Sequence, residues 1–351
     1  MLHFDSDYME GAHPELMRRL AETNLEQTPG YGLDEHCRCA ERLILDACSL
    51  EHGRVHFLVG GTQTNATVID AILARHEGVL AAETAHINVH EAGAIEASGH
   101  KVLTLPQHDG KISAADVRRY IDDYYADETY EHAVAPGMVY ISHPTELGTL
   151  YSLDELSALS SVCREAGIPL YMDGARLGYA LASSDSDVAL ADVARLCDVF
   201  YIGGTKVGAL FGEAVVTSRP ELMPHFFSIV KQHGALLAKG RLLGVQFETL
   251  FTDNLYVDLA RHACLMAGKL RRAFVSHGYR LFIDSPTNQQ FFVLPNSVID
   301  ALSKVATFEL WGPRRAVETP VRFVTSWATR ESDVDELILS LIHISEPTRP
   351  Y

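Results

Sequence analysis

Short apolar segments alternate with longer segments of helical periodicity between about residues 40 and 220. The predicted strands among them are Val55–Val59, Val79–Ala82, Lys101–Leu105, Met138–Ser142, Leu170–Met172, Val199–Ile202 and Ala214–Thr217. The predicted helices between them include Thr62–Arg75, Ala114–Tyr125 and Leu153–Ala166. Most of the strands are continuously apolar, which is typical of strands covered on both faces. The alternation predicts an α/β fold with a mostly parallel central sheet.

The pattern changes after about residue 240. There the sequence predicts one long helix, Arg241–His277, followed by strands Arg280–Asp284, Gln290–Val293 and Val321–Thr325 and a last helix from Glu331. We therefore predict an N-terminal arm (1–35), a large domain (36–240) and a smaller α+β C-terminal domain (241–338). The arm is expected to be irregular and to reach another domain or subunit. Residues 339–351 resemble a translated sequencing adapter more than a natural terminus, so we assign them no function.

Charge and composition exclude several classes of partner. Lys and Arg total 29 against 46 Asp and Glu, and the net charge of −17 disfavours nucleic acid. No apolar run approaches the ~18–20 residues of a membrane helix, and the first residues do not form a secretory signal. The six cysteines are scattered without repeated CxxC spacing, which favours free thiols in a reducing compartment. We therefore predict a cytoplasmic protein without a metal site.

Two chemically reactive side chains follow neighbouring predicted strands. Asp173 comes directly after Leu170–Met172, and Lys206 follows Val199–Ile202. Parallel strands of an open α/β sheet bring their carboxyl ends to one edge, where ligands bind. A lysine and a carboxylate in such a crevice suit pyridoxal phosphate (PLP). The lysine forms a Schiff base with this cofactor, and the acid keeps the pyridine nitrogen protonated.

The segment Val59-Gly60-Gly61-Thr62 follows a predicted strand and opens a predicted helix. Glycines allow close approach of an anion, and a helix N-terminus offers free N–H groups to a phosphate. The segment is neither GxGxxG nor a P-loop, so it suits a single phosphate better than a dinucleotide. A simple turn explains it equally well.

Two further side chains are candidates for a site on the same sheet edge. His86 follows the strand Val79–Ala82 and could stack on a flat ring or act as an acid or base, with His90 and His143 as alternatives. Arg322 lies inside the apolar segment Val321–Thr325. Its guanidinium suits the carboxylate of an amino acid, and an internal ion pair is the alternative.

With these residues the sequence resembles the threonine aldolase and β-eliminating lyase family of PLP enzymes, over nearly the whole chain. The matching pieces are Ser6-Asp7, Tyr31-Gly32, Gly61-Thr62-Gln63, Ala85-His86, Glu91-Ala92-Gly93, Asp173-Gly174-Ala175-Arg176, Lys206 and Val321–Thr325. The resemblance implies the aspartate-aminotransferase-like fold (fold type I). It also implies a homo-oligomer, a dimer or tetramer, whose active site is shared between subunits.

The resemblance implies a role for each matching residue. Lys206 would hold the cofactor, Asp173 its pyridine nitrogen and Arg176 its phenolic oxygen. Gly61 and Thr62 would bind the phosphate, and His86 would stack on the ring. The substrate would be held by Ser6, Arg322 and Tyr31. A basic residue of a neighbouring subunit would reach the phosphate; Lys239 matches best, with Lys231 and Arg241 as alternatives.

The implied reaction is retro-aldol cleavage of L-threonine, L-allo-threonine or a related β-hydroxy-α-amino acid to glycine and an aldehyde, through an external aldimine. His86, or a water that it orients, would take the hydroxyl proton. The segment Ser142-His143-Pro144-Thr145-Glu146 departs from the family's usual Glu-Asn-Thr-His type near the expected place of the β-substituent. The alternatives are a PLP-dependent β-eliminating lyase or aminotransferase, a nicotinamide enzyme on a Rossmann sheet, and a non-catalytic PLP-binding protein.

Overall fold

The computed structural model describes residues 1–345; residues 346–351 of the adapter-like tail lie outside the described residues. The α-helices in this part of the chain are α1 (Pro14–Glu22), α2 (Glu35–Ala47), α3 (Gly61–Ile72), α4 (His86–Val89), α5 (Ala94–Ala97), α6 (Ala114–Ala126), α7 (Leu153–Ala166), α8 (Leu177–Ala182), α9 (Leu190–Leu196), α10 (Phe226–Gln232), α11 (Arg241–Phe251), α12 (Leu255–Ser276), α13 (Asn296–Leu302) and α14 (Glu331–Ser345). The strands are β1 (Leu2–His3), β2 (Arg54–Leu58), β3 (Glu77–Ala82), β4 (Lys101–Leu105), β5 (Ala135–Ser142), β6 (Leu170–Asp173), β7 (Val199–Gly203), β8 (Glu213–Thr217), β9 (Arg280–Ile283), β10 (Gln289–Pro295), β11 (Ala306–Thr307), β12 (Glu309–Leu310) and β13 (Glu318–Val324).

A seven-stranded sheet forms the centre of the fold, in the order β2-β8-β7-β6-β5-β3-β4. Neighbouring strands are parallel except around β8, which is antiparallel to both β2 and β7. Every residue of β6, β7 and β8 is buried, because helices cover both faces of the sheet. The mostly parallel sheet and all seven of its predicted strands are confirmed.

Local sequence sets the ends of the helices that connect these strands. Ser152 accepts the amide of Glu155 at 3.2 Å, and the Glu155 side chain accepts the Ser152 amide at 2.8 Å. This capping box starts α7, and Gly167 in the left-handed region (φ 71°) ends it. Ser113 caps α6 through the amide of Asp116 in the same way. Helices α6 and α7 thus begin at the predicted residues.

Two predictions about elements were wrong. The segment Arg241–His277 is not one helix but two, α11 and α12, because Asp253 and Asn254 adopt positive φ (52° and 62°) and interrupt it. The first thirty-odd residues are not wholly irregular, because Pro14–Glu22 forms α1 with Pro14 in its first turn. No proline marks this break, so the helical periodicity of the segment did not reveal that the helix is interrupted.

A second, smaller sheet lies in the C-terminal part of the chain. It is antiparallel, with the order β12-β13-β10-β9, and α12, α13 and α14 pack with it around a separate apolar core. The arm reaches this part: β1 pairs in parallel with β11, and Phe4 is fully buried in the second core. The exact domain boundaries stay a prediction.

No helix among residues 1–345 combines the length and apolarity needed to cross a membrane.

Candidate active site

A cavity of about 290 Å³ opens at the carboxyl edge of the central sheet. Residues at or after the carboxyl ends of β2, β3, β5, β6 and β7 form parts of its wall, and β8 supplies its first residue. The lining residues that matter below are Gly60, Gly61, His86, Glu91, Ser142, Glu146, Asp173, Arg176, Tyr201, Thr205, Lys206 and Glu213. Asp173 and Lys206 thus face one cavity, as their positions after neighbouring strands predicted.

A second cavity of about 280 Å³ shares part of this wall and extends toward the small sheet. Both cavities are lined by Tyr8, His86, Glu146, Arg176 and Lys206. The second cavity adds His90, Glu309, Trp311 and Arg322. The site therefore lies between the central sheet and the small sheet.

Asp173 is buried at the end of β6 and is held by several donors. Its Oδ2 accepts the Tyr140 hydroxyl at 2.6 Å and Asn65 Nδ2 at 3.0 Å. Its Oδ1 accepts the Tyr201 hydroxyl at 2.5 Å and the Ala175 amide at 2.9 Å. Burial alone would raise the pKa of Asp173, but the charge of His86 and these hydrogen bonds outweigh it and lower the pKa. Asp173 is therefore a carboxylate at neutral pH.

The donors to Asp173 were not predicted from the sequence. Tyr140, Tyr171 and Tyr201 occupy neighbouring strands β5, β6 and β7, each near the carboxyl end. The Tyr171 hydroxyl donates to Asn65 Oδ1 at 2.9 Å and so orients the Asn65 amide toward Asp173. A tyrosine inside each of three otherwise apolar strands was the pattern that could have revealed this network.

Lys206 lies in a tight loop directly after β7. A Cβ on Gly203 would stand 2.3 Å from the Ala175 carbonyl oxygen, so only glycine allows this close approach. Within residues 1–345 the Lys206 ammonium group forms no ion pair. Burial, followed by the charge of Arg176, lowers the pKa of Lys206 despite three nearby carboxylates. A lysine with a lowered pKa is a stronger nucleophile at neutral pH.

Glu213 is the carboxylate nearest in sequence to this loop, and it is buried at the start of β8. It accepts the Thr205 hydroxyl at 2.8 Å through Oε1, and its Oε2 has no partner among the described residues. Burial raises the pKa of Glu213 to about 8, against the opposing effects of Thr205 and Lys206. The carboxyl group and the Lys206 amine both shift toward their neutral forms.

His86 lies at the start of α4, with its Nδ1 2.8 Å from Glu91 Oε1. Burial disfavours the charged imidazole, but the hydrogen bond to Glu91 and the charge of Asp173 outweigh it and raise the pKa of His86. Of the two alternatives, His90 lines only the second cavity. His143 is buried, lines neither cavity and accepts the Tyr151 amide at 3.3 Å.

Arg176 and the arm meet at the site. The Arg176 guanidinium donates to both oxygens of Asp7, from Nε at 2.7 Å and from Nη2 at 2.9 Å. Asp7 also accepts Asn288 Nδ2 at 2.9 Å, and Asn288 belongs to the C-terminal part of the chain. The hydroxyl of Ser6, the neighbouring predicted substrate ligand, is buried without a partner among residues 1–345.

Arg322 lies on β13 and faces the second cavity. Its Nη1 donates to Gln289 Oε1 at 2.8 Å, its Nη2 pairs with Glu309, and its guanidinium lies 5.2 Å from the Trp311 ring. Its Nε is buried and has no partner in the described part of the chain. The internal ion pair considered from the sequence therefore exists, and one donor of Arg322 is still free for a ligand.

Four predicted site residues do not line either cavity of this chain: Ser6, Thr62, Tyr31 and Lys239. Thr62 is exposed in the first turn of α3, whereas its neighbour Gly61 does line the cavity. Tyr31 and Lys239 lie together elsewhere, where Gly30 approaches the segment before α11. Of the alternatives to Lys239, Lys231 stacks on the Tyr31 ring at 4.8 Å, and Arg241 donates to the carbonyl groups of Thr23 and Asn24. Their predicted roles stay predictions.

The residues present fit PLP. An amine with a lowered pKa and a carboxylate face the same cavity, and α3 begins at that cavity with Gly60 and Gly61, which carry no side chain. The N-terminus of such a helix offers amide groups to a phosphate. Polar atoms of Ser6 and Arg322 near the site have no protein partner, which is expected of groups that bind a ligand.

Comparison with known proteins agrees with this assignment. Residues 3–294 match the family described as β-eliminating lyase. A low-specificity L-threonine aldolase of Pseudomonas aeruginosa is 31% identical over 95% of both chains. The solved threonine aldolase of Leishmania major is 42% identical, with a TM-score of 0.95 over 99% of this chain and 100% of its own.

A more distant structure tests the fold. An aspartate aminotransferase of Thermus thermophilus is 14% identical and superposes with a TM-score of 0.70 over 98% of this chain and 91% of its own. It confirms the predicted aspartate-aminotransferase-like fold, and the matches above confirm the resemblance that the motifs indicated. On this agreement of motifs, fold and relatives, the chain belongs to the β-eliminating lyase family.

Proposed function

We propose that this protein is a PLP-dependent aldolase that cleaves L-threonine, L-allo-threonine or a related β-hydroxy-α-amino acid to glycine and an aldehyde. The observation that carries the proposal is the meeting of Lys206 and Asp173 in one cavity, where the lysine has no ion pair within residues 1–345. The names of the two similar threonine aldolases support the reaction type.

PLP supplies an electron sink for the carbanion that forms when a bond to Cα breaks. The chain's own residues bind and orient the cofactor and the substrate. Lys206 provides the amine that holds the cofactor, and the Asp173 carboxylate stabilises positive charge on the ring nitrogen. His86 lines the cavity where the ring would stack, and the start of α3 would take the phosphate through backbone amides.

The substrate carboxylate is assigned to Arg322 and Ser6. Arg322 has a free Nε donor, and Ser6 has a hydroxyl without a partner among the described residues. Holding the carboxylate fixes which bond at Cα faces the cofactor, and that bond is the one that breaks. Retro-aldol cleavage requires the Cα–Cβ bond to be selected.

Product analysis tests the proposal. Purified protein with added PLP is incubated with L-threonine and with L-allo-threonine, and glycine and acetaldehyde are expected in equal amounts. Ammonia with a keto acid would indicate β-elimination instead, and conversion of the cofactor to its pyridoxamine form would indicate transamination. A colourless protein that binds a nicotinamide cofactor would contradict the assignment as a whole.

Replacing the lysine gives the sharpest control. Lys206→Ala is expected to abolish turnover and the yellow absorbance of the bound cofactor, because no other lysine among residues 1–345 lines the cavity. Borohydride reduction of the wild-type protein should fix the cofactor on the peptide that contains Lys206, as mass spectrometry would show. Undiminished turnover by Lys206→Ala would overturn the proposal.

We further propose a cytoplasmic homo-oligomer, a dimer or tetramer, in which a neighbouring subunit completes the site. Tyr31 and Lys239 are exposed and line neither cavity of their own chain. The exposed apolar residues Leu33 and Phe227 line the same surface cavity as Tyr31. The six cysteines are free thiols, in keeping with a reducing compartment. The wild type and Lys239→Ala test the shared site. Light scattering gives the oligomeric state of each, and titration with PLP shows whether the variant binds the cofactor's phosphate more weakly, as the shared site requires.

A further inference from the structure

Several carboxylates of the site have no part in the proposed function, and Glu146 is one of them. Glu146 follows β5 and lines both the cavity of the central sheet and the cavity toward Arg322. It belongs to the segment in which the sequence departs from the family pattern. Cofactor residues Lys206 and Asp173 border the first cavity, and Arg322 borders the second. Glu146 is therefore placed between the cofactor and the substrate ligands.

Neighbouring donors hold this carboxylate in place. Glu146 Oε1 accepts the Ser142 hydroxyl at 2.6 Å and the His86 amide at 2.9 Å. Both bonds go to Oε1, so neither occupies Oε2. No cation pairs with Glu146 in residues 1–345, unlike Asp7, whose carboxylate is bound by Arg176. A carboxylate that neighbouring donors hold in place and that lacks a counter-ion is suited to take up a proton.

Burial raises the pKa of Glu146, and the charge of Asp173 adds to this effect, while hydrogen bonds from Ser142, from the backbone amide of Glu146 itself and from the His86 amide oppose it. A higher pKa makes the carboxylate a stronger base at neutral pH. The pKa of His86 is also raised, but for an imidazole this makes it a poorer proton acceptor at neutral pH. Its raised pKa and its contact with Glu91 favour the protonated imidazole, which cannot accept another proton.

We propose that Glu146 is the general base that takes the proton of the substrate's β-hydroxyl group, a role for which the resemblance suggested His86 or a water that it orients. The inference rests on the proposed function, because it needs a β-hydroxy-α-amino acid in the cavity. His86 is then left to stack on the cofactor and to hold Glu146 through its backbone amide.

The step conserves atoms and charge. Glu146 takes the hydroxyl proton, the O–H electron pair becomes the second bond of the aldehyde carbonyl, and the Cα–Cβ bond breaks. Its electron pair remains with the Cα fragment, which takes up one proton to become glycine. The net change is the transfer of one proton from oxygen to Cα, so no oxidant, reductant or other co-reactant is required.

The variant Glu146→Gln distinguishes a role of Glu146 as a base from a structural role, because glutamine keeps the shape of the side chain but cannot take up the proton. Glycine has no β-hydroxyl group, so exchange of its α-proton with deuterium in solvent needs the cofactor and Lys206 but not this base. We expect Glu146→Gln to lower kcat for L-threonine cleavage by about 10²–10⁴-fold. Its glycine exchange should stay within about threefold of the wild-type rate, and so should its PLP affinity. The exposed Glu83 gives a matched control, and Glu83→Gln should leave both rates unchanged.

The outcomes are distinguishable. Equal losses of cleavage and exchange in Glu146→Gln, or full retention of cleavage, would overturn the inference and leave the proposed function intact. Wild-type protein that exchanges glycine without cleaving β-hydroxy-α-amino acids would overturn the proposed function itself. If Glu146→Gln does not fold, Glu146→Asp, which keeps the carboxylate but shortens its reach, should lose cleavage more than exchange; equal losses would again contradict the role.

Discussion

Arg322, the proposed ligand of the substrate carboxylate, is engaged by an acidic side chain of its own chain. Glu309 pairs with Nη2, and Gln289 accepts from Nη1. A substrate carboxylate that binds the guanidinium must compete with Glu309 or share the arginine with it. Because Glu309 is partly exposed, water can replace the pairing at little cost.

Glu309→Gln is therefore expected to strengthen substrate binding. Removing the competing negative charge should lower the Kd for glycine and the KM for L-threonine by about two- to tenfold, with kcat little changed. A glycine titration followed by cofactor absorbance measures the effect. Glu318→Gln removes an exposed partner of Arg280 on the same sheet and should change neither constant. Weaker glycine binding by Glu309→Gln would mean that Glu309 orients Arg322 instead of competing.

Residues whose position in the fold follows from their place along the chain were predictable. Asp173, Lys206 and His86 each follow an apolar strand, and parallel strands bring such positions together whatever the remaining sequence. The network of Asn65, Tyr140 and Tyr201 around Asp173 was not predictable in this way. It joins α3 to two strands far apart in sequence, so it depends on side-chain directions that appear only after packing.

Helices α11 and α2 approach each other very closely. A Cβ on Gly244 in α11 would stand 2.5 Å from the Cys37 amide nitrogen and 2.7 Å from the Cys37 sulfur in α2. The sequence predicted a helix through Gly244 but gave no reason to expect a partner there. The break between α11 and α12 was hidden for a similar reason, because Asn254 interrupts a periodic segment without proline.

Gly244→Ala should separate these two helices. The added methyl group meets backbone and a buried sulfur, neither of which can move freely, so we expect a loss of about 1–3 kcal/mol in the free energy of unfolding. Gly268 in α12 is the matched control, because its added Cβ would meet only the end of the flexible Arg272 side chain at 3.4 Å. Gly268→Ala should be neutral or stabilising by up to about 1 kcal/mol. Urea denaturation of both variants checks the contrast; equal midpoints would contradict it.

The arm and α12 connect the apolar core of the central sheet with that of the small sheet. Leu16 is buried in the core of the central sheet, whereas Phe4 is buried in that of the small sheet. Helix α12 contributes Ala263 to the first core and Phe274 to the second. The sequence predicted that the arm reaches another part of the protein. The link from Asp7 to Arg176 and Asn288 could not be predicted, because it joins three distant segments.

Glu213 should contribute to the pH dependence of the free energy of unfolding. Its pKa is raised from 4.5 to about 8 in the folded protein, chiefly by burial. The folded state therefore binds a proton that the unfolded state has released between these two values, so stability falls as the pH rises through this window. Glutamine cannot titrate. Glu213→Gln should gain stability relative to the wild type as the pH rises, by an amount on the order of a few kcal/mol at the upper end.

Urea denaturation of the cofactor-free proteins at about pH 5, 6.5 and 8.5 measures this difference. Asp7 and Asp173 have lowered pKa values, so their contribution is present above the unfolded pKa and is lost only as the pH falls toward the folded one. The wild type and Glu213→Gln share this loss of stability in acid, so subtracting one free energy of unfolding from the other removes it. The exposed Glu83→Gln variant should give a difference that does not vary with pH. A difference between Glu213→Gln and the wild type that is equally flat would show that Glu213 is ionised in the folded protein throughout this range.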